Sequence, residues 1–346
     1  MGVVAFLFSK VSVILSMWIS AAVHEKIYCH PDWHLNIQKS NISGAERGKM
    51  NINEFAQKVC RAVGEELGAK YNVELKEVRK NNGVMLHGLL ISSGEGNVVP
   101  TIYLEHFFRV YEEGMTFGEI IRRLLEVHGQ DVPARNIDME FFRSYEKVCD
   151  RICYRLIGRA GNEELLKDIP FVDFLDMAIC FFYAYKGESL GEGSIMIHNS
   201  HMEIWKCGVA DLMERAQQNT PKLFPWQCCT MEEVLREVTD KKLQEELLAK
   251  EVPMRVLSNH QRMNGAVCLI YQGVMEKLAE EHQADLYILP SSIHEVILLP
   301  DSGKENPDDL KSMIVQVNRT QVAPEEVLSD SLYRYDRGKR RVEIIM

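Results

Sequence analysis

The 346-residue sequence has no uninterrupted apolar stretch of about 20 residues, the length a membrane-spanning helix requires; its nearest approach, Val11 to Ile19, stops well short. It also has no excess of positive charge. Forty Lys plus Arg stand against 50 Asp plus Glu, a net charge of −10, so the broad basic face that displaces counterions from phosphates is missing and no nucleic-acid partner is expected. Zinc-ligand spacing is missing too. The nine cysteines (29, 60, 149, 153, 180, 207, 228, 229, 268) contain no C-x-x-C pair and read as reduced, mostly buried thiols. Cys149 and Cys153 could share a helical face or point the same way along a strand, and Cys228 and Cys229 are adjacent. No Gly-x-Gly-x-x-Gly, no Walker loop, no His-Glu-x-x-His and no Gly-x-Ser-x-Gly elbow occurs. No cofactor is expected.

What is present is a 46% hydrophobic chain of mixed charge, long enough for two or three modules with their own cores. Residues 1 to 49 read as outside the fold. Their first 22 resemble a signal peptide ending in Ser20-Ala21-Ala22. Alternatively, Glu46-Arg47-Gly48-Lys49 back-translates to a purine-rich run resembling a bacterial ribosome-binding site just ahead of Met50. The expectation is a start at Met50 and a cytoplasmic protein with no membrane contact; a true signal peptide would make it secreted.

From Met50 the pattern is that of an α+β protein built from successive antiparallel meander and hairpin modules packed with helices. The first module, residues 50 to 130, opens with an amphipathic helix. A strand over Asn72–Arg79 follows, then an Asn-Gly turn, a partner strand over Val84–Ser92, a third over Val98–Leu104 and two helices, the second capped by Thr116 and Glu119. In the second module, residues 131 to 218, Val148–Ile157, Val172–Tyr185 and Ser194–Ile197 read as strands, the longest equally as a buried helix. Residues 219 to 252, punctuated by Pro221 and Pro225 and carrying a Thr230/Glu233 capping box, read as a connector. The third module, residues 253 to 346, has a strand at Met254–Leu257 and one long helix over Gly265–His282. Two hairpins follow, Asp285–Leu289 with Ile293–Leu299 and Ser331–Tyr335 with Arg341–Ile345, separated by a helix over Pro307–Val317.

The phrases IYLEHFFRVYEEG, DIPFVDFLDMAICFF, ADLMERAQQNT, NGAVCLIYQGV, LPSSIHEVILLP and EEVLSDSLYRYD together resemble an uncharacterised bacterial family, domain of unknown function 5688. The resemblance runs from about Met50 to the C-terminus. It implies no activity, substrate or partner.

The most chemical phrase is Leu289-Pro-Ser-Ser-Ile-His-Glu-Val296, whose Ser291, Ser292 and His294 are candidates for a nucleophile and its base. On a strand, however, His294 and Glu295 point to opposite faces, so the orienting acid would come from elsewhere, with Asp330 or Asp336 as candidates. The bland account is a Pro290-Ser-Ser turn whose hydroxyls satisfy loop backbone. His198 and His201 have the best metal-like spacing, against which Asn199 or Ser200 serves as an ordinary helix N-cap. Glu74 and Lys76 read as an exposed strand face, Arg337–Arg341 as a solvated hairpin turn, and the Gly187–Gly193 loop as too acidic for a phosphate cradle. Phe107, Phe108 and Tyr111 read as core, together with Tyr103. Of Phe181, Phe182, Tyr183 and Tyr185, alternation would expose half as a partner surface. The favoured reading is a non-enzymatic binding or regulatory protein acting through exposed sheet faces on an unidentified protein partner or ligand. Its rival is a serine-dependent hydrolase.

Overall fold

The computed structural model describes residues 50–93, 101–130, 140–187, 191–238 and 253–345. The signal-like segment and the alternative start, residues 98–100 of the third expected strand, residues 188–190 of the glycine loop and residues 239–252 of the connector lie outside the described residues.

Helix α1 (Ile52–Leu67) starts where Asn51 and Glu54 satisfy each other's backbone: Asn51 Oδ1 accepts the Glu54 N–H at 3.0 Å and Glu54 Oε2 accepts the Asn51 N–H at 3.1 Å. Its buried stripe of Phe55, Ala56, Val59 and Val63 covers an antiparallel meander, β1 (Asn72–Arg79), β2 (Met85–Ser92) and β3 (Thr101–Tyr103). The expected Asn-Gly turn is there. Asn82 and Gly83 both take the left-handed region, φ 58° and 67°, which suits the right-handed twist of the two strands. Helices α2 (Glu105–Glu112) and α3 (Phe117–Gln130) close this first core, with Phe108 and Tyr111 against Phe55 at 5.2 and 5.4 Å between ring centroids. Tyr103 instead lies under the Lys80 ammonium at 4.0 Å.

The second sheet has β6 (Met177–Gly187) at its centre, β4 (Ile152–Gly158) along one side, and β5 (Phe171–Phe174) then β7 (Gly191–Met196) along the other. Two expected strands change. Residues 145–151 are helical turns, so β4 begins only at Ile152. The run 172–185 is two strands folded at Leu175 and Asp176, Leu175 having φ 57°. Helices α4 (Asn199–Trp205) and α5 (Val209–Leu223) follow. Near the end of α5, Asn219 Nδ2 donates to the Cys149 and Ile152 carbonyls, and Thr220 Oγ1 accepts the Tyr154 N–H, which docks this helix on the entry to β4.

The third sheet is six-stranded and antiparallel, in the order β13-β12-β10-β11-β9-β8: β8 (Trp226–Thr230), β9 (Arg255–Asn259), β10 (Leu286–Ser292), β11 (Glu295–Pro300), β12 (Leu332–Asp336) and β13 (Arg341–Ile345). The stretch expected as a connector therefore supplies structure of its own: the end of α5, the edge strand β8, and α6 (Met231–Val238) started by the expected Thr230/Glu233 box. Strand alternation explains why Cys228 and Cys229 are both wanted, since they join the cores on opposite faces of the sheet. The long helix expected over 265–282 is broken into a 3₁₀ segment, Gly265–Ile270, and α7 (Val274–His282), with Gly273 left-handed between them. The 3₁₀ segment also starts at a close approach. A Cβ on Gly265 would lie 2.2 Å from Ser258 Oγ and 2.5 Å from the His294 carbonyl oxygen.

Helix α8 (Pro307–Thr320) packs Leu310, Met313 and Ile314 on one face of the six-stranded sheet, against Leu289 and Ile297. The opposite face merges with the second sheet: Tyr154 and Phe181 share one continuous core with Leu257, Leu278, Ile288 and Tyr333. The second and third expected modules are thus one packed body, and the first has a core of its own. Among the described residues, no helix is long and apolar enough to cross a membrane.

Candidate functional site

The hairpin β10–β11 turns at Ile293-His294, three residues later than the expected Pro290-Ser-Ser corner. A bulge between Pro290 and Ser292 makes this workable, because proline offers no N–H to a regular ladder. Ser292 and Glu295 then face each other across the turn. Ser292 Oγ donates to Glu295 Oε1 at 3.0 Å and accepts the His294 backbone N–H at 2.9 Å. The His294 ring looks the other way: its Nδ1 accepts the Asn264 N–H at 3.2 Å and its Nε2 lies 3.5 Å from Glu326 Oε1. The acid beside the histidine is Glu326. Asp330 accepts from Asn318 Nδ2, and Asp336 from the Lys339 N–H. Ser291 is buried at 2% exposure and Ser292 at 3%, and neither hydroxyl meets an imidazole nitrogen.

Glu295 is the unusual group of this corner. It is 1% exposed, its Oε2 has no hydrogen-bond partner, and burial pushes its carboxyl up to about 7, partly offset by His294 and the two serine hydroxyls. The surrounding backbone is tied down: Ser258 Oγ donates to the His294 carbonyl at 2.7 Å, and the Ile293 N–H to the Glu326 carbonyl at 2.8 Å.

His198 and His201 are brought together, with ring centroids 5.6 Å apart, as a helix cap. His201 Nδ1 accepts the His198 N–H at 3.0 Å, and the His201 ring stacks on Trp205 and meets Phe142 edge-on. His198 thus takes the N-cap position expected of Asn199 or Ser200; Asn199 instead donates to the Lys167 carbonyl. Burial holds the His201 imidazole below its usual range, consistent with a neutral acceptor. No group of three or more potential metal-holding side chains occurs among the described residues. Cys149 and Cys153 fall on a 3₁₀ turn and on β4, and all eight described cysteines are free thiols.

The remaining sequence candidates fall into place individually. Glu74 and Lys76 pair at 3.6 Å on the exposed side of β1. The Arg337–Arg340 turn is laced to acids, with Lys339 on Glu343 and Arg340 on Glu276. Phe181 and Tyr183 enter the shared core. Phe182, expected as half of an exposed set, is buried on the opposite face against Phe224.

Three features had no local signal in the sequence. Asp176, in the β5–β6 turn, accepts hydroxyl hydrogen bonds from Ser329 (2.8 Å), Ser331 (2.9 Å) and Tyr333 (2.5 Å), partners more than 150 residues away. Asn162, 1% exposed, bonds Asn81, Asn82 and the Gly158 carbonyl, while Asn82 Nδ2 donates to the Pro324 and Val327 carbonyls; the tip of the first hairpin is thereby locked to the main body. Finally, an open depression of about 360 Å³ lies between the 3₁₀–α7 segment and the β12–β13 hairpin, walled by Tyr271, Tyr335 and Phe174 of the second sheet and edged by Glu276, Arg340 and Arg341.

The profile of a family of unknown function, DUF5688, matches residues 52–337. No curated protein and no solved structure matches.

Proposed function

The chain belongs to the family of unknown function DUF5688, which brings no activity to transfer, and we propose that it is a bacterial, cytoplasmic binding or regulatory protein without catalysis of its own. The observation that carries this reading is the commitment of the hairpin corner to the fold. Ser292 holds Glu295 and the His294 backbone, and both His294 ring nitrogens face Asn264 and Glu326, so neither Ser291 nor Ser292 is set up for deprotonation by this imidazole. The open depression beside α7, with aromatic walls and a charged edge, is a surface on which binding could take place. The eight described cysteines, none within a disulfide, suit a reducing compartment.

The experiment is fluorophosphonate labelling of the purified chain beside native mass spectrometry of the protein from its own cells. The expected result is no labelling and a stoichiometric bound partner or ligand. Labelling that disappears in Ser292→Ala would overturn the reading in favour of the serine hydrolase.

A further inference from the structure

The outer face of the four-stranded sheet, turned away from the shared core, holds a charge that meets no counter-charge among the described residues. Strand register lays out three neighbouring rows there: Cys153–Phe182–Met196, Arg155–Cys180–Phe171 and Ile157–Ala178–Asp173. Apolar cover reaches this face in two separate pieces. Leu166 and Ile169 lie over Ile157, Ala178 and Cys180; Leu223 and Phe224 lie over Cys153, Phe182 and Ala184. Arg155 stands at the seam between them.

Its Nε is shielded from solvent and has no partner, and the one hydrogen-bond acceptor its guanidinium meets among the described residues is Met196 Sδ, 3.7 Å from Nη2. The charged groups of this face nearest in the ladder are already engaged: Asp173 with Arg159, and Arg151 Nε with the Ala184 carbonyl at 2.5 Å, while Lys186 and Glu192 lie six rungs along β6 from Cys180. Cys180, directly across the ladder, supplies no anion, because burial pushes its thiol up to about 12. Burial also works against the charge on Arg155 itself, yet a guanidinium keeps its proton at neutral pH. A shielded cation without an anion is costly, and the cost is relieved by whatever anion can reach it. Arg155 as a whole residue is half-buried rather than sealed.

We propose that Arg155 anchors a binding site for a monoanionic carboxylate with an apolar body, the carboxylate seated on the guanidinium and the body lying along the half-buried Met196 and Phe171. A carboxylate matches the planar donor fork and its single charge. A phosphate would bring up to two charges to one unassisted cation in an apolar rim. The assignment deepens the binding reading and rests on it, by naming a ligand class and a place.

The test uses the full chain labelled with ¹⁵N-arginine, titrated with sodium octanoate, and separately with sodium phosphate and sodium chloride at matched ionic strength. Octanoate is expected to shift a single Arg Nε–H resonance, absent from the spectrum of Arg155→Lys, and to raise the melting temperature; phosphate and chloride should do neither. In calorimetry Arg155→Lys, which keeps the charge but loses the fork, should bind octanoate at least tenfold more weakly, and Arg155→Met should not bind it. Octanoate affinity unchanged in these variants, an unmoved Nε–H in the wild type, or a response to phosphate or chloride alone would overturn the proposal. If Arg155→Met fails to fold, the wild-type resonance and the lysine variant still decide. A negative result here leaves the fluorophosphonate outcome untouched, so failure of this site and failure of the non-catalytic reading are separable.

Discussion

At the scale of single residues, Glu295 makes the clearest prediction. Its carboxyl is raised by burial from 4.5 to about 7, so the folded chain holds this proton more tightly than the unfolded chain does. Its effect on stability is therefore absent below about pH 4.5, grows as a penalty while the pH rises to about 7, and stays constant above, at roughly 3 kcal/mol. Glu295→Gln keeps an acceptor for Ser292 and removes the charge. Urea unfolding between pH 5 and 8 should show the variant gaining on the wild type as the pH rises, and parallel curves would contradict the assignment. Asp176 makes the opposite case of a carboxylate that the fold uses fully. Asp176→Ala strips Tyr333, Ser329 and Ser331 of their shared acceptor and should cost about 2–4 kcal/mol in the same measurement.

At the scale of elements, local signals did much of the work. The Thr116/Glu119 and Thr230/Glu233 boxes and the Asn82-Gly83 turn are where three- and four-residue patterns put them, because capping and left-handed turns are settled by neighbours in the chain. The tight start of the 3₁₀ segment at Gly265 was illegible for the converse reason. Ala266, Leu269 and Ile270 have helical spacing, but Gly265 must approach Ser258 and the His294 carbonyl, which the sequence places elsewhere. Gly265→Ala should consequently destabilise the chain by about 3 kcal/mol or more, read as a drop in the urea midpoint. A neutral result would mean that the 3₁₀ segment backs away from β9 at little cost.

At the scale of the molecule, the apparent boundary between the second and third modules disappears, because Tyr154 and Phe181 pack in the same core as Ile288 and Tyr333 and because β8 comes from the expected connector. A fragment of residues 253–346 lacks both β8 and that half of the core, and is expected to show no cooperative unfolding by circular dichroism. A fragment of residues 140–346 should unfold in a single transition. Residues 50–130, with a separate core around Phe55, Leu89 and Ile120, are expected to fold alone. Cooperative melting of 253–346 would restore the boundary read from the sequence.

The sequence by itself determined the α+β class, the capping boxes at Thr116 and Thr230, the Asn82-Gly83 turn and the absence of a recognisable catalytic motif, since all of these depend on residues within a few positions of one another. It also brought Ser292, His294 and Glu295 together in one phrase. Only the tertiary structure decided what they do: a two-residue turn points Ser292 at Glu295 and turns the imidazole toward Asn264 and Glu326. The same holds for Arg155, whose isolation is a property of its surroundings. Nothing beside it in the chain shows that Cys180, Phe171 and Met196, drawn from three other strands, supply its neighbours and that none of them carries a negative charge.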